Sequence, residues 1–114
     1  MPFINSRVSI AISPDQEQEI KTRLGQSISL IPGKSEQWLM TGFQDNYHLY
    51  FRGRGEEPCA FVEVAVFGEE NPAAFEKLTG AITDIFCDVL GLSADHIYVK
   101  YEAVGSWGWN GANF

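Results

Sequence analysis

The sequence predicts an α/β protein, more narrowly an α+β domain of two β-α-β repeats, with a four-stranded sheet and two helices packed on one of its faces. Two observations indicate this class. Each of two predicted helices opens with a capping residue followed by proline and is preceded by a strand-like segment. The two units can also be overlaid, since Pro58-Cys59-Ala60 repeats the start Pro2-Phe3-Ile4 56 positions later. The 114 residues fit one domain, residues 1–114.

The first unit is predicted from a strand over residues 3–10 and a helix that follows it. Ser13 is a good N-cap, Pro14 suits the first helical position, and Gln16 completes a capping box. Pro32-Gly33 should end the helix, and residues 38–43 should form a second strand. The helix has an apolar stripe close to the 3.6-residue period, formed by Ile20, Leu24, Ile28 and Ile31.

The second unit begins after a polar break at residues 44–46, a short apolar run over residues 47–51, and a turn or mobile loop over residues 52–55. Residues 59–67 form the most strongly predicted strand, which is apolar at nearly every position except Glu63. Asn71-Pro72 repeats the helix start and Gly91 ends that helix. A strand over residues 97–101 follows, and residues 105–114 have strand or turn character. The helix stripe consists of Phe75, Leu78, Ile82, Ile85, Phe86 and Val89.

The strand over residues 59–67 also predicts an assembly. Two helices cover only one face of a four-stranded sheet, yet this strand is apolar towards both faces. A second cover is therefore needed, and another copy of the chain is the simplest one. We expect a symmetric homo-oligomer.

Composition excludes several classes of partner. The net charge of −7 argues against nucleic acid and anionic membranes, and no apolar run approaches the ~20 residues of a membrane span. The N-terminus lacks the charged-then-apolar pattern of a signal peptide. Two cysteines are too few for a disulfide scaffold and fit a reducing compartment. We therefore expect a cytoplasmic protein with no nucleic-acid or membrane partner.

Metal and cofactor chemistry have no support in the motifs. His48 and His96 lie far apart and have no metal-ligand spacing to each other or to a cysteine. Cys59 and Cys87 stand among apolar neighbours, which favours inert buried thiols. None of the glycine-rich phosphate-binding motifs is present. We expect no metal and no cofactor.

Pro2 is the most specific chemical candidate. Removal of the initiator methionine would expose a secondary amine on a rigid ring, which no internal residue offers. Burial in an apolar pocket would lower the pKa of this amine and keep it neutral, as a general base requires. The alternative interpretation is that Pro2 only begins an edge strand.

Several short motifs occur in a characteristic order along the whole chain. They are Pro2-Phe3-Ile4, Pro14-Asp15, Gly33-Lys34, Glu57-Pro58-Cys59-Ala60, Ser93-Ala94-Asp95 before Ile97-Tyr98-Val99, and Gly108-Trp109-Asn110 with Phe114. Together they resemble the macrophage migration inhibitory factor family of the tautomerase superfamily. The resemblance implies a β-α-β repeat fold assembled as a homotrimer.

The resemblance also implies an activity: keto–enol tautomerisation of phenylpyruvate-like 2-oxo acids, with a small aromatic 2-oxo acid as ligand. Pro2 matches the catalytic amino-terminal proline. The predicted substrate-binding residues are Lys34 for the carboxylate or oxo group, Tyr98 from a neighbouring subunit, and Phe67, Lys100, Trp107, Trp109 and Phe114. The last two belong to the aromatic tail.

Four residues depart from the family pattern. Phe67 stands where the family commonly has isoleucine, and Trp107 replaces a smaller valine, so both narrow the pocket. Lys100 replaces an asparagine, which adds either an anion contact or only a surface charge. Val62 replaces the second cysteine of a C-x-x-C motif, so thiol oxidoreductase activity is not expected.

The resemblance leaves alternatives open. Superfamily members also use the proline in dehalogenases, hydratases and decarboxylases, where Arg52, Arg54 and Glu63 would serve. For the two arginines a solvated basic turn is the simpler hypothesis, and for Glu63 an ion pair with Arg7 or Lys100. Two further alternatives are a secreted signalling or host-modulating protein, exported without a signal peptide to act on a receptor protein, and a trimer with a vestigial pocket.

Overall fold

A computed structural model describes residues 1–114 and contains two helices and a four-stranded mixed sheet. The strands of the sheet are β1 (Pro2–Val8), β2 (Met40–Gln44), β3 (Ala60–Phe67) and β4 (Ile97–Val104). The helices are α1 (Pro14–Ser27) and α2 (Pro72–Leu90), and a C-terminal hairpin consists of β5 (Gly108–Trp109) and β6 (Ala112–Asn113). Single turns of 3-10 helix occur at Ile28–Leu30, Glu36–Trp38 and Ala94–His96.

The strand order β2-β1-β3-β4 confirms the predicted pair of β-α-β repeats. Within each repeat the two strands are parallel, β1 with β2 and β3 with β4. The repeats join through β1 and β3, which are antiparallel and pair from Pro2 with Val66 to Val8 with Ala60. The amino end of β1 therefore lies beside the carboxyl end of β3.

Both predicted helix starts are present. At α1 the Gln16 N–H donates to the Ser13 hydroxyl (3.1 Å), and the Ser13 N–H donates to the Gln16 side chain (2.9 Å), which completes the capping box. At α2 the Ala74 N–H donates to the Asn71 side chain (3.2 Å). Gly91 ends α2 in the left-handed conformation, with a φ of 71°. Neither helix is long and apolar enough to cross a membrane.

Four predicted boundaries are wrong by a few residues, among them the end of β4, which lies at Val104 rather than at residue 101. Strand β1 ends at Val8 rather than at residue 10, and α1 ends at Ser27 before a 3-10 turn. The Ser27 hydroxyl donates to the Arg23 carbonyl (2.8 Å), a side-chain bond that competes with regular helix geometry. Trp38 belongs to a 3-10 turn closed by its N–H on the Ser35 carbonyl (3.2 Å), so β2 begins only at Met40.

The core lies between the helices and one face of the sheet. In β3 the buried side chains are Val62, Val64 and Val66, and the alternate residues are half-buried on the opposite face. That open face is less apolar than expected, because Glu63 forms ion pairs with Arg7 and Lys100. The predicted pairing of Glu63 is thereby confirmed.

The cysteines have the surroundings of structural thiols. Cys59 is buried, whereas Cys87 is half-buried. Burial raises the pKa of the Cys87 thiol, and the carboxylates of Asp84 and Asp88 add to this effect. A raised pKa keeps the thiol protonated and unreactive.

Ser6 provides a test of the core. Its side chain is fully buried in β1, and its hydroxyl has no hydrogen-bond partner. Because a buried hydroxyl without a partner is unfavourable, Ser6→Ala should raise the free energy of unfolding by about 1 kcal/mol. The melting temperature should rise by about 4 °C, measured by thermal unfolding at matched protein concentration.

Ser9→Ala is the matched control, because the Ser9 hydroxyl accepts a hydrogen bond from the Cys59 N–H (2.9 Å). Removing this acceptor leaves an amide unpaired, so the same substitution should here lower the free energy of unfolding by about 1 kcal/mol. Equal signs for the two variants would contradict this account of Ser6.

Candidate functional site

The amino end of β1 brings the chain terminus next to Lys34. The Phe67 N–H donates to the Met1 carbonyl (3.0 Å), and the Lys34 ammonium donates to the Phe67 carbonyl (2.8 Å). Lys34 follows Gly33, whose φ of 80° lets the chain reverse after the first helix. The structure thus brings together Pro2, Lys34 and Phe67, three of the predicted site residues.

The terminal amine belongs to Met1 in this chain, directly before Pro2. Burial lowers the pKa of this amine, and Lys34 lowers it further through its positive charge and a side-chain hydrogen bond. The terminus is therefore a place where an amine is neutral at lower pH than usual.

An open cleft of about 840 Å³ lies beside Pro2. Seven of its ten lining residues are hydrophobic, so it suits an apolar ligand group. Two predicted site residues, Trp107 and Trp109, form part of its wall. Pro2 thus has a lysine on one side and an aromatic cleft on the other.

The C-terminal hairpin positions the aromatic tail. Its turn contains Asn110 and Gly111, with φ values of 54° and 81°, as a two-residue hairpin turn requires. The rings of Trp109 and Phe114 are stacked with centroids 6.2 Å apart, and Phe114 lies 5.7 Å from Phe67. Phe67, Phe114 and Trp109 therefore form one continuous aromatic group next to Lys34.

Trp38 is a site residue that the sequence analysis did not identify. It lines the cleft, and its ring meets Trp109 edge-on with centroids 5.1 Å apart. Its position four residues after Lys34 indicates that it could lie near the site, but the apolar run that begins at Trp38 predicts a strand instead. Met40, 68% exposed, lines the same cleft.

Tyr98 does not reach the cleft within one protomer. It pairs with Phe61, five residues before Val66, the partner of Pro2. At ~3.3 Å per residue these positions are about 16 Å apart along the sheet. Tyr98 instead packs edge-on against Phe51, with centroids 5.4 Å apart, and stays 59% exposed.

Lys100 also lies outside the cleft of its own protomer and has other partners. Its ammonium pairs with Glu102 (3.1 Å) and Glu63 (3.4 Å). Hydrogen bonds to these two carboxylates, that of Glu102 first, raise the pKa of Lys100. Within one chain Lys100 is thus part of the charge network on the open face of the sheet.

The two arginines of the basic turn lie near Tyr98 rather than near Pro2. Arg52 and Arg54 line a cavity of about 370 Å³ together with Phe51, Glu57 and His96. The Arg52 guanidinium lies 4.8 Å from the centre of the Phe51 ring. Neither arginine lines the Pro2 cleft.

Known proteins match this chain over its whole length. A family model described as macrophage migration inhibitory factor (MIF) matches residues 1–114. The macrophage migration inhibitory factor of Meriones unguiculatus is 24% identical over 116 residues, which is 100% of this chain and 97% of the relative. Among solved structures, MIF2 of Leishmania major is 32% identical, with a TM-score of 0.93 over 100% of this chain and 97% of that one. A homologue from Prochlorococcus marinus is 30% identical, with a TM-score of 0.81 over 98% of each chain.

Lys34 should control the ionisation of the terminal amine. Because its charge lowers the pKa of that amine, Lys34→Met should raise the pKa, so the amine gains its proton at higher pH than in the parent protein. An NMR titration of the terminal residue measures this shift. Lys77→Met, an exposed lysine on α2, is the control and should leave the titration unchanged. An unchanged titration in Lys34→Met would contradict the coupling.

Proposed function

We propose that this protein, which belongs to the macrophage migration inhibitory factor family, is a tautomerase that interconverts the keto and enol forms of phenylpyruvate-like 2-oxo acids. The observation that carries the proposal is the position of the chain terminus. An amine with a lowered pKa lies beside Lys34 and opens onto an aromatic cleft. A base, a cation and an apolar slot are the three groups that an aryl 2-oxo acid needs.

The proton transfer is assigned to Pro2 after removal of Met1. The freed secondary amine would stand where burial and Lys34 lower the pKa of the present terminus, so the same two effects would favour its neutral form. The neutral nitrogen takes a proton from the carbon next to the substrate carbonyl, and the carbonyl oxygen then receives a proton to give the enol. The reverse sequence regenerates the ketone, so no cofactor is required.

Binding of the substrate's charged end is assigned to Lys34. The net charge of −7 repels an anion at long range, but this repulsion is screened beyond ~8 Å, so a nearby ammonium decides binding. Removal of Met1 also takes away the carbonyl that now accepts from the Phe67 N–H. This amide would then be a second donor, next to Lys34, for a substrate oxygen.

The substrate ring is assigned to the aromatic cleft between subunits of a homotrimer. The open face of the sheet is only half-buried in one protomer, and Tyr98 is exposed at the end remote from Pro2. Tyr98 and Lys100 can join the cleft only if they come from a neighbouring copy. Phe67, Trp107, Trp109 and Phe114 would supply the remainder of the slot.

Dehalogenation, hydration and decarboxylation have less support. These alternatives need a carboxylate that activates water, with arginines beside the proline. Glu63 is instead paired with Arg7 and Lys100, which lowers the pKa of its carboxyl below the usual value despite some burial. The Pro2 cleft contains neither Arg52 nor Arg54.

Pro2→Gly tests the proposed base. The substitution keeps a small residue after Met1 but replaces the ring-held secondary amine by a primary amine on a flexible residue. The base is then no longer positioned, so kcat/KM should fall by about 100-fold, the lower end of the contribution of a positioned general base. Loss of absorbance of enol-phenylpyruvate measures the rate, and intact mass confirms that Met1 is absent from both proteins. Pro14→Ala, at the start of α1, is the control and should stay active. Full activity of Pro2→Gly would refute the mechanism.

Subunit mixing tests the shared site. Light scattering should give three times the mass of one chain. Tyr98→Ala should raise KM for phenylpyruvate, and Pro2→Gly should retain at most about 1% of the parental kcat/KM. If Tyr98 acts on a neighbour's site, mixed trimers of the two variants contain sites with both native residues, so the mixture should regain the parental KM in part of its sites. A monomeric mass would contradict the shared site. So would a mixture with an activity equal to the sum of the activities of the two separate variants.

A further inference from the structure

A cluster of three rings, those of Phe51, His96 and Tyr98, lies at the end of the sheet remote from Pro2. The Phe51 ring is 5.4 Å from Tyr98 at an interplanar angle of 80°, and 5.1 Å from the His96 ring at 56°. Phe51 belongs to the loop between β2 and β3, whose role the sequence does not indicate. It is the ring that connects this loop to Tyr98.

Phe51 is held in place by its own turn. The Phe51 N–H donates to the Arg54 carbonyl (2.9 Å), and the Arg54 N–H donates to the Phe51 carbonyl (3.0 Å). The two residues between them, Arg52 and Gly53, have φ values of 56° and 75°, as a tight two-residue turn requires. The backbone under the Phe51 ring is therefore fixed.

His96 fastens this loop to the start of β4. Its side chain is 12% exposed, and its Nε2 lies 2.5 Å from a Glu57 carboxylate oxygen. Its Nδ1 lies 2.7 Å from a carboxylate oxygen of Asp95. Glu57 belongs to the loop, whereas His96 itself ends the 3-10 turn that immediately precedes β4, so its contact with Glu57 joins the two segments that carry Phe51 and Tyr98.

A cavity beside this ring cluster offers room for the Tyr98 side chain to rotate. An apolar cavity of about 230 Å³ lies against Tyr98 and Phe51, with Leu49, Cys59 and Phe61 in its wall. A tyrosine with two rotatable side-chain bonds and no support on this side can turn into such a cavity. The Phe51 ring lines this cavity and contacts Tyr98 edge-on, so it opposes that rotation.

We propose that Phe51 and His96 are positioning residues that hold the Tyr98 ring in the orientation in which it contacts the aryl group of the substrate. The inference rests on the proposed function, which places Tyr98 in the substrate slot of a neighbouring subunit. Phe51 and His96 touch no substrate themselves. They set the preference for aryl over alkyl 2-oxo acids, because only a ring makes use of an ordered Tyr98.

Phe51→Ala is the primary test. Its KM for phenylpyruvate should rise about three- to tenfold, the range expected when one aromatic contact is lost. KM for an alkyl 2-oxo acid, and kcat for both substrates, should change by less than about twofold, since Pro2 and Lys34 are untouched. Phe51→Tyr keeps the ring and should restore the parental KM. A merely structural role would alter both substrates alike and would contradict the inference.

A double-mutant cycle tests whether Phe51 acts through Tyr98. The variant that combines Phe51→Ala with Tyr98→Ala should have the KM of Tyr98→Ala alone, because no ring remains to be positioned. Additive effects on KM would overturn the proposal. If Phe51→Ala does not fold, Phe51→Leu keeps the apolar bulk, lacks the ring and is subject to the same comparison.

His96→Gln should raise KM for phenylpyruvate in the same direction as Phe51→Ala. His48→Gln, the other histidine and an exposed one in the same loop, is the matched control and should have the parental KM. If His96→Gln matches the control, His96 has no positioning role and the proposal fails. An inactive parent protein refutes the proposed function, whereas an active parent with unchanged variants refutes only the present inference.

Discussion

The row of backbone hydrogen bonds between β1 and β3 is the interaction on which the remaining structure depends. It joins the two repeats in antiparallel orientation. Both helices therefore pack on the same face of the sheet and contribute to a single core. The same pairing sets Pro2 opposite Val66, beside Phe67. Lys34 then needs only one hydrogen bond, to the Phe67 carbonyl, to stand at the chain terminus. Fold and candidate site thus share one register, and a slip of one residue would disrupt both.

The elements that the sequence predicted well are those encoded locally. The caps at Ser13 and Asn71 depend on neighbours within four residues, and the helix stripes depend on a period that one segment contains. The prediction for Trp38 was wrong because the apolar run Trp38-Leu39-Met40 crosses from the 3-10 turn into the strand, and the sequence does not mark that boundary. Pro2 and Lys34 were identified through the order of motifs along the chain. Their proximity follows from strand pairing, which no local pattern specifies.

The open face of the sheet shows that the apolar pattern of one strand does not determine its surroundings, because the neighbouring strands supply the partners of its side chains. The strand over residues 59–67 looked apolar towards both sides, and Glu63 looked like an exception within it. Cross-strand partners explain this exception, because Arg7 on β1 and Lys100 on β4 lie on either side of Glu63. The face combines an ionic centre with apolar ends such as Phe61 and Phe67. The position of Phe51 against Tyr98 was equally invisible, since a loop without periodicity joins it to β3.

The hydrogen bond from the Phe67 N–H to the Met1 carbonyl has a consequence for timing. In a chain that retains Met1, the Pro2 nitrogen is acylated by Met1 and cannot act as a base. The Phe67 N–H already donates to the Met1 carbonyl. The fold can form around this blocked terminus, because the bond extends the β1–β3 ladder by one step. Under the proposed function, removal of Met1 would then be a separate event, with a rate set by an aminopeptidase. Folding and the onset of the proposed chemistry are therefore separate steps, and the slower step determines when a new subunit becomes active.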